Sequence, residues 1–551
     1  MQMQANGDGS TMRHGDDLLG RLRHVLRQGT LETGSAEREY FSSDLLAAGR
    51  VCAAVVRPAT IEELRASVQL VTAAGKPVVP RGGGLTYVGG YTPPDPEAVV
   101  FDLRALDRVT GIDEENLTVT VEAGVTWARL KADLDKRGLR LPFLGTFSGS
   151  GATVGGGLSN GALFFGSARY GGIAEQVLGL EVVTATGELL RVGAAAVARG
   201  VGPAYPVFGP ALTGLFLHDA GALGIKATAT LRLIRATPVM RCLSFGFPDA
   251  ASALAAQSAI AREDLAEDLY LMDPPKTRNA LRVPRGTRAL ASLRDIVRGE
   301  GNWLRGASLA GRLLFHTPRL ARGDVHGLHI VCAGRNAAQV RWQTRRGREL
   351  ALSAGGAPLP AVVPRAARAA LFPPLDALLG HEGERWVALN AKVPHSRAPA
   401  LYKAAEKVIA AHRDSLSEGG VTVSRLVTAL TSHWLSYEPV LHWKDSWLPL
   451  HRSAPQVETG ALPEPAANPG GRKAAMALRD DLVNCFFQAG AVSTQLGRTY
   501  PLLPALEPAT ARLLEGLKQQ LDPAGLMNPG ALLLRRPGPA MLHHDQARDR
   551  R

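Results

Sequence analysis

Cysteine is scarce in this 551-residue chain, and Cys52, Cys242, Cys332 and Cys485 stand far apart with no CxxC pair. That spacing excludes a disulfide framework, a cysteine zinc site and an iron–sulfur cluster, and suits small buried hydrophobes in a reducing compartment. Uninterrupted apolar runs of about 18 residues are missing too, which argues against a membrane-spanning helix. The opening MQMQANGDGSTMRHGDD lacks a basic stretch leading into an apolar one, so it does not read as a signal peptide and the expected localisation is cytoplasmic. Acidic residues are in deficit, 50 against 63 Lys and Arg, for a net charge of +13. The imbalance is local. Residues 276–322 hold eleven Lys or Arg against Asp295 and Glu300, so the charge marks an insert rather than a basic surface throughout. With 45% hydrophobic and 21% charged residues the chain can bury a real core, which excludes whole-chain disorder, and its length calls for two or three packed units.

Periodicity divides the chain. Leu18, Leu19, Leu22, Val25 and Leu26 recur at helical spacing, so residues 15–50 read as helical. VCAAVVRPAT (51–60) reads as a strand, after which Thr60 and Glu63 form a capping box for a helix closed by Gly75, and KPVVPRGGG (76–84) is a second strand running into glycines. Strands follow at 98–103 and 117–124, then a helix ending at Gly138, a TG hairpin at 178–193 and an alternating strand at 226–238. Beyond Pro238, strands at 242–247, 265–273, 327–334, 386–393 and 421–430 alternate with helices and suggest an α+β sheet covered on one face. The expected division is a helical segment at 1–50, a first domain at 51–238, a second at 239–480 carrying the basic insert 276–323, a returning segment at 481–535, and a disordered tail at 536–551.

Glycine is abundant where it counts: 18 of the 92 residues from 81 to 172, against 60 in the whole chain. It gathers in PRGGGLTYVGGY (80–91) and TFSGSGATVGGGLSNGALFFGSARYGG (146–172). Such loops let backbone N–H groups approach an anion without hindrance from a Cβ, and two of them can hold a dinucleotide between them. Neither matches the Rossmann fingerprint or the P-loop.

The order RPAT, PRGGG, VTVEAGVTW, GATVGGGLSNGALF, RYGG, VLGLEVVTATGEL, DAGALGIKATATLRL and LDPAGLMNPG resembles the FAD-linked oxidases with the vanillyl-alcohol oxidase and p-cresol methylhydroxylase (PCMH-type) fold, near the D-lactate and glycolate dehydrogenases. The resemblance runs over 51–235 and again over 484–533. It implies an α+β molecule: a two-subdomain PCMH-type FAD-binding domain plus an α+β, ferredoxin-like cap over the flavin. Pro80, Arg81, Gly82, Gly83, Gly84, Leu85 and Thr86 match the pyrophosphate loop. Pro142, Gly145, Thr146, Thr153, Gly155, Gly156, Asn160 and Gly161 match the second loop. Gly221, Gly224 and Ile225 match the closing contact with the nucleotide, and Asn528 lies in the returning LDPAGLMNPG. Leu85 stands where members with covalent FAD carry a His, and the second loop has no Cys, so noncovalent FAD is expected. GAVSTQLGRTYP (490–501) lacks the histidine of the metal-assisted 2-hydroxy-acid branch, so no metal is expected.

Substrate chemistry is expected from the cap. The segment 432–447 is densest in candidates, holding His433, Tyr437, Glu438, His442, Trp443 and Asp445. As a strand it places His433, Leu435 and Tyr437 on one face and Trp434, Ser436 and Glu438 on the other. His433, Tyr437 and His442 are the candidate bases for a substrate hydroxyl, Arg498 and Tyr500 the candidate anchors for an acid, and Asn390 and Lys392 weaker candidates. Arginines interleaved with leucines, Trp303 and Phe315 in 292–323 suit an anionic membrane surface, peripherally on its inner face. The expected function is FAD-dependent hydride removal from a C–H bond next to an oxygen, in an alcohol, 2-hydroxy acid or phenol, with reoxidation by quinone, a carrier protein or oxygen. The alternatives are a non-redox flavoenzyme resembling alkyl-glycerone-phosphate synthase, a flavin-binding protein without catalysis, and a basic nucleic-acid-binding protein; the last lacks any recognised motif, so no nucleic acid is expected.

Overall fold

The computed structural model describes residues 14–200, 202, 205–280, 324–375, 379–380, 382–452 and 463–533. The expected membrane-binding segment 292–323 and the expected disordered tail 536–551 lie outside the described residues.

Three β-sheets carry the molecule. In the first, strands Thr30–Glu32, Ala54–Arg57, Val99–Asp102 and Val78–Arg81 lie side by side in that order, the last three parallel. The helix Ile61–Ala73 crosses between the parallel strands, and Thr60 caps it by accepting from the Glu63 N–H at 3.2 Å. The second sheet is antiparallel, ordered Val109–Asp113, Thr118–Glu122, Ile225–Arg232, Val177–Val183, Leu189–Gly193. Separate apolar cores fill the two subdomains, one around Val56, Val68 and Phe101 and one around Trp127, Phe143 and Leu231.

The third sheet has eight strands. Val239–Phe247, Asp268–Met272, His326–Gly334 and Ala357–Leu359, with helices Ala250–Arg262 and Ala337–Ser353 between first and second and between third and fourth, stand across the sheet in the order fourth, first, third, second. That is the ferredoxin-like arrangement. Thr422–Leu430, Trp434–Lys444, Glu384–Ala388 and Ala391–Pro394 extend it. One face packs under helices including Ala398–Ala411 and Pro469–Gln488, burying Leu269, Ile330, Val427, Leu435 and Tyr437 among them. The other face turns toward the two smaller sheets. The chain then returns to the first sheet, where the Val78 N–H donates to Leu526 and the Asn528 N–H to the Val78 carbonyl, both at 2.8 Å.

Two expectations are corrected. Residues 15–50 are not one helical stretch: helices His14–Val25 and Ser35–Phe41 flank the strand Thr30–Glu32, and Gly29 comes so close to the Arg57 carbonyl that a Cβ would collide with it. The run 386–393 is two strands, because Pro439 opposite the break has no N–H to donate, and only its carbonyl is used, by the Leu389 N–H at 3.0 Å.

A buried ionic cluster fastens the third sheet to the second subdomain. The Glu267 carboxylate accepts from Arg140 at 2.9 Å and Arg368 at 2.7 Å, while Asp268 accepts from Arg368 at 2.5 Å and from the Gly166 N–H at 2.7 Å. Arg140 and Arg368 hold the Glu267 carboxyl below its ordinary range against the opposing effect of burial. Glu267→Ala leaves the Arg140 guanidinium buried without a counter-ion and Arg368 with Asp268 alone, and is expected to cost about 3–5 kcal/mol of stability. Urea unfolding followed by circular dichroism measures it, and a loss under about 1 kcal/mol contradicts the role assigned to the cluster.

Candidate active site

A cleft of about 1410 Å³ opens where the three sheets meet. Its floor is the turn after the strand Val78–Arg81. Among the described residues the N–H groups of Gly83, Gly84, Leu85 and Thr86 find no protein acceptor. Beneath them Arg81, 1% exposed, donates to the Ser43 carbonyl at 2.5 Å and lies over the rings of Tyr40 and Phe41, while its Nε and one terminal nitrogen have no partner. Free amides above unpaired guanidinium donors make a cradle for an anion.

The second loop closes on the first. A Cβ on Gly82 would strike Thr153 and one on Gly83 the Gly151 carbonyl. Thr153 in turn caps the helix Val154–Asn160 by accepting from the Gly156 N–H at 3.2 Å. Pro80, Arg81, Gly82, Gly83, Gly84, Leu85, Thr86, Thr146, Thr153, Gly155, Gly156, Asn160, Gly221, Gly224 and Ile225 all line the cleft. Pro142, Gly145, Gly161 and Asn528 are outside that lining. Gly161 ends the helix in a left-handed conformation, φ 74°, and the Pro142 carbonyl accepts from Arg140 at 2.9 Å. Asn528 donates to the carbonyls of Gly90 and Ala220 at 2.7 and 2.6 Å, stapling the returning segment to both nucleotide-side turns.

The opposite wall is the inner face of the eight-stranded sheet. Glu438 and His442, four residues apart on Trp434–Lys444, face the cleft with Leu426, Met272 and Trp386. Lys276, on the helix Pro274–Ala280, sits 5.2 Å from the Trp386 ring centre, and Trp386 meets Tyr87 edge-on at 5.4 Å. Burial raises the Glu438 carboxyl, and the charges of Lys276 and Lys392 oppose it. Burial lowers the Lys392 ammonium to about 7 and holds His442 at about 4, a neutral imidazole whose Nε2 is 2.8 Å from Ser424 Oγ. Lys392 donates to Asn390 Oδ1 at 2.7 Å, and Asn390 to Gln495 Oε1 at 3.1 Å, where the Tyr87 hydroxyl also points.

The expected catalytic residues scatter. His442 is in the cleft. His433 is exposed in the turn before the strand, remote from that wall. Tyr437 is on the helix-covered face, packed against Tyr402 and Phe486, because alternation sends 433, 435 and 437 away from the cleft. Arg498 anchors no acid: its guanidinium donates to the carbonyls of Gly89 and Thr92 at 2.5 and 2.9 Å and to Asn528 Oδ1 at 2.7 Å. Tyr500 is buried behind the wall, its hydroxyl accepting the Asn390 N–H at 2.7 Å. Sequence reasoning passed over Tyr87, Lys276, Trp386 and Gln495. Only Tyr87, inside the first glycine cluster, carried a local signal. Among the described residues no group of three His, Cys, Asp or Glu is placed to hold a metal, and no helix is long and apolar enough to cross a membrane.

Residues 52–193 match the family described as an FAD binding domain. The described residues have the fold of p-cresol methylhydroxylase, in a structure with substrate bound, at TM-score 0.72 and 16% identity over 96% of this chain and 98% of that one. A structure of alkyldihydroxyacetonephosphate synthase covers 93% of this chain and 84% of its own at TM-score 0.66. These findings define the class, an FAD-binding protein of the PCMH-type fold. Residues 52–193 are thus an FAD-binding domain, and FAD is the cofactor. In sequence it is similar to "Probable D-lactate dehydrogenase, mitochondrial" of Danio rerio, 32% identical over 46% of this chain and 51% of the relative. The glycolate oxidase subunit GlcD of Bacillus subtilis is also 32% identical, over 33% and 37%. Alkyldihydroxyacetonephosphate synthase of Dictyostelium discoideum is 27% identical over 48% and 41%. The chain thus spans about half the length, or less, of the relatives it matches.

The site fits the cofactor on its own geometry. The free amides of 83–86 and the unpaired donors of Arg81 suit a diphosphate, and the cleft continues from them to the charged wall. Gly83→Ala forces the two loops apart and is expected to weaken FAD binding about tenfold or more, ~1.4 kcal/mol. Quenching of flavin fluorescence on titration into apoprotein measures it; affinity unchanged from wild type contradicts the cradle.

Proposed function

We propose that the protein is an FAD-dependent oxidoreductase that removes hydride from a C–H bond next to an oxygen in a small-molecule substrate, an alcohol, 2-hydroxy acid or phenol. The observation that carries this reading is Glu438, a buried carboxyl flanked by Lys276 and Lys392, on the wall facing the glycine loops across one cleft. Bound FAD supplies a two-electron acceptor for hydride. Arg81 and the amides of 83–86 would hold its diphosphate. Leu85 has no nucleophilic atom and the described lining contains no Cys, so neither offers the flavin a covalent bond.

Glu438 accepts the substrate's hydroxyl proton. A carboxyl pushed up by burial suits a base working near neutrality. Lys276, fixed over Trp386, offers positive charge to the substrate oxygen or to an acidic group. His442, neutral and hydrogen-bonded to Ser424, orients a hydroxyl at the same wall. Trp386, Tyr87, Leu426 and Met272 exclude water and favour an apolar substrate body. Electrons then pass to quinone, a carrier protein or oxygen. A non-redox reaction like that named for the alkyldihydroxyacetonephosphate synthases is the second reading, favoured by their match to this chain in sequence and in fold.

Anaerobic bleaching of the flavin by a panel of alcohols, phenols and 2-hydroxy acids tests the reading; no bleaching by any member favours the second. Glu438→Gln is expected to slow bleaching by about 10²–10⁴ while the flavin spectrum stays intact. The pH dependence has a defined sign. The carboxylate is the active form, so kcat/KM rises with pH through the raised Glu438 value. Lys392→Met removes a neighbouring positive charge, raises that value further and moves the rise to higher pH; a shift the other way contradicts the assignment.

A further inference from the structure

One row of side chains crosses the eight-stranded sheet on its cleft-facing side. Ser244 is directly opposite His329, His329 opposite Tyr270, Tyr270 opposite Thr428, Thr428 opposite Ser436, and Ser436 opposite Lys392. Residues directly opposite in a ladder share a face, so these six form a single polar file. All are buried: Tyr270 and Ser436 are 1% exposed, His329 2%, Ser244 and Thr428 3%. Phe164, from the FAD-binding domain, covers the middle of the file with its ring 5.4 Å from that of Tyr270.

Four consecutive members have a polar atom with no partner: His329 Nε2, Tyr270 Oη, Thr428 Oγ1 and Ser436 Oγ. Buried polar atoms are nearly always satisfied, and each orphan costs about 1–3 kcal/mol. Adjacent strands are about 4.8 Å apart, and these four atoms make no direct bond to one another, which leaves each open to a bridging water. Four neighbouring orphans at that spacing match what buried waters require.

The two ends of the file differ. At one end Ser436 is two residues from Glu438 on the same face and opposite Lys392. At the other, Ser244 Oγ is 2.9 Å from His329 Nδ1 and lines a separate pocket of about 270 Å³ beside Arg348 and Arg365. His329 is neutral, lowered by burial to about 3, so its ring offers one donor and one acceptor to the file.

We propose that this row holds a file of water molecules carrying the substrate's hydroxyl proton from the cleft wall to the second pocket. The inference rests on the oxidation proposed above. Hydride leaving the carbon takes both electrons of the C–H bond to the FAD of that reaction. The O–H bond breaks as the C=O bond forms, and the hydroxyl hydrogen remains as a proton on Glu438. The base must pass that proton on before the next turnover, and the file leads from its own face to the pocket beside Arg348 and Arg365.

Two measurements decide it. A high-resolution crystal structure of the FAD-loaded protein is expected to show ordered waters bonded to Ser436, Thr428, Tyr270 and His329; a dry row overturns the proposal whatever the enzyme oxidises. Stopped-flow mixing with a reducing substrate and a pH-indicator dye then reads bleaching and proton release separately. Thr428→Val, nearly isosteric, and Tyr270→Phe are each expected to slow proton release about tenfold or more while leaving bleaching within about twofold. Release unchanged in both, with waters present, overturns the relay and leaves a structural water row. Absence of bleaching in the wild type overturns the oxidation instead, and the crystallographic result still decides the water file.

Discussion

The rest of the molecule depends on the close approach of two bare stretches of backbone. Gly82 and Gly83 press on Thr153 and Gly151 so tightly that a single methyl group on either would collide. That contact turns a row of amides outward above the buried guanidinium of Arg81. A guanidinium with unpaired donors is costly in a protein interior, and the cost is offset when a diphosphate takes up those donors. A ligand bound to the folded cradle adds to its stability.

The cap is held over the cradle by different forces. Glu267 and Asp268, adjacent on one strand, meet Arg140 of the second subdomain and Arg368 of the cap in a buried cluster that also captures the Gly166 N–H of the second glycine loop. Arg498 and Asn528 bind the returning segment to the turns at 89–92 and 220. Both arrangements end on the glycine loops themselves. The wall bearing Glu438 and the floor bearing Arg81 are thereby set against each other through polar contacts of fixed geometry.

The charged wall owes its proton affinities to burial. Glu438, Lys392 and His442 are ordinary groups whose affinities for protons are moved by desolvation and by one another. The same inner face carries the polar file from Ser436 to Ser244. A sheet covered by helices on one side and by the cofactor domain on the other can carry such a file, because the row itself is buried on both sides.

Much was legible in the amino-acid order. Glycine, having no Cβ, is the one residue that permits backbone to lie on backbone, so the clusters at 80–91 and 146–172 declared a cradle, and alternation of strand and helix declared the sheets around it. The capping box at Thr60 and the hairpin at 178–193 are local chemistry and needed nothing else. The charged wall was not legible. Alternation along 434–444 sorts Glu438 from Tyr437 but does not say which face turns inward when both faces are buried and both carry aromatics. Lys276, Trp386 and Gln495 are far apart in the chain and meet only because the sheet brings them to one end. Arg498 looked like an acid anchor because a guanidinium's partners are invisible until the chain has folded around it. Local backbone requirements are written residue by residue; which buried group faces the reacting space is settled by how whole layers stack, since burial and charge neighbours are properties of the packed molecule.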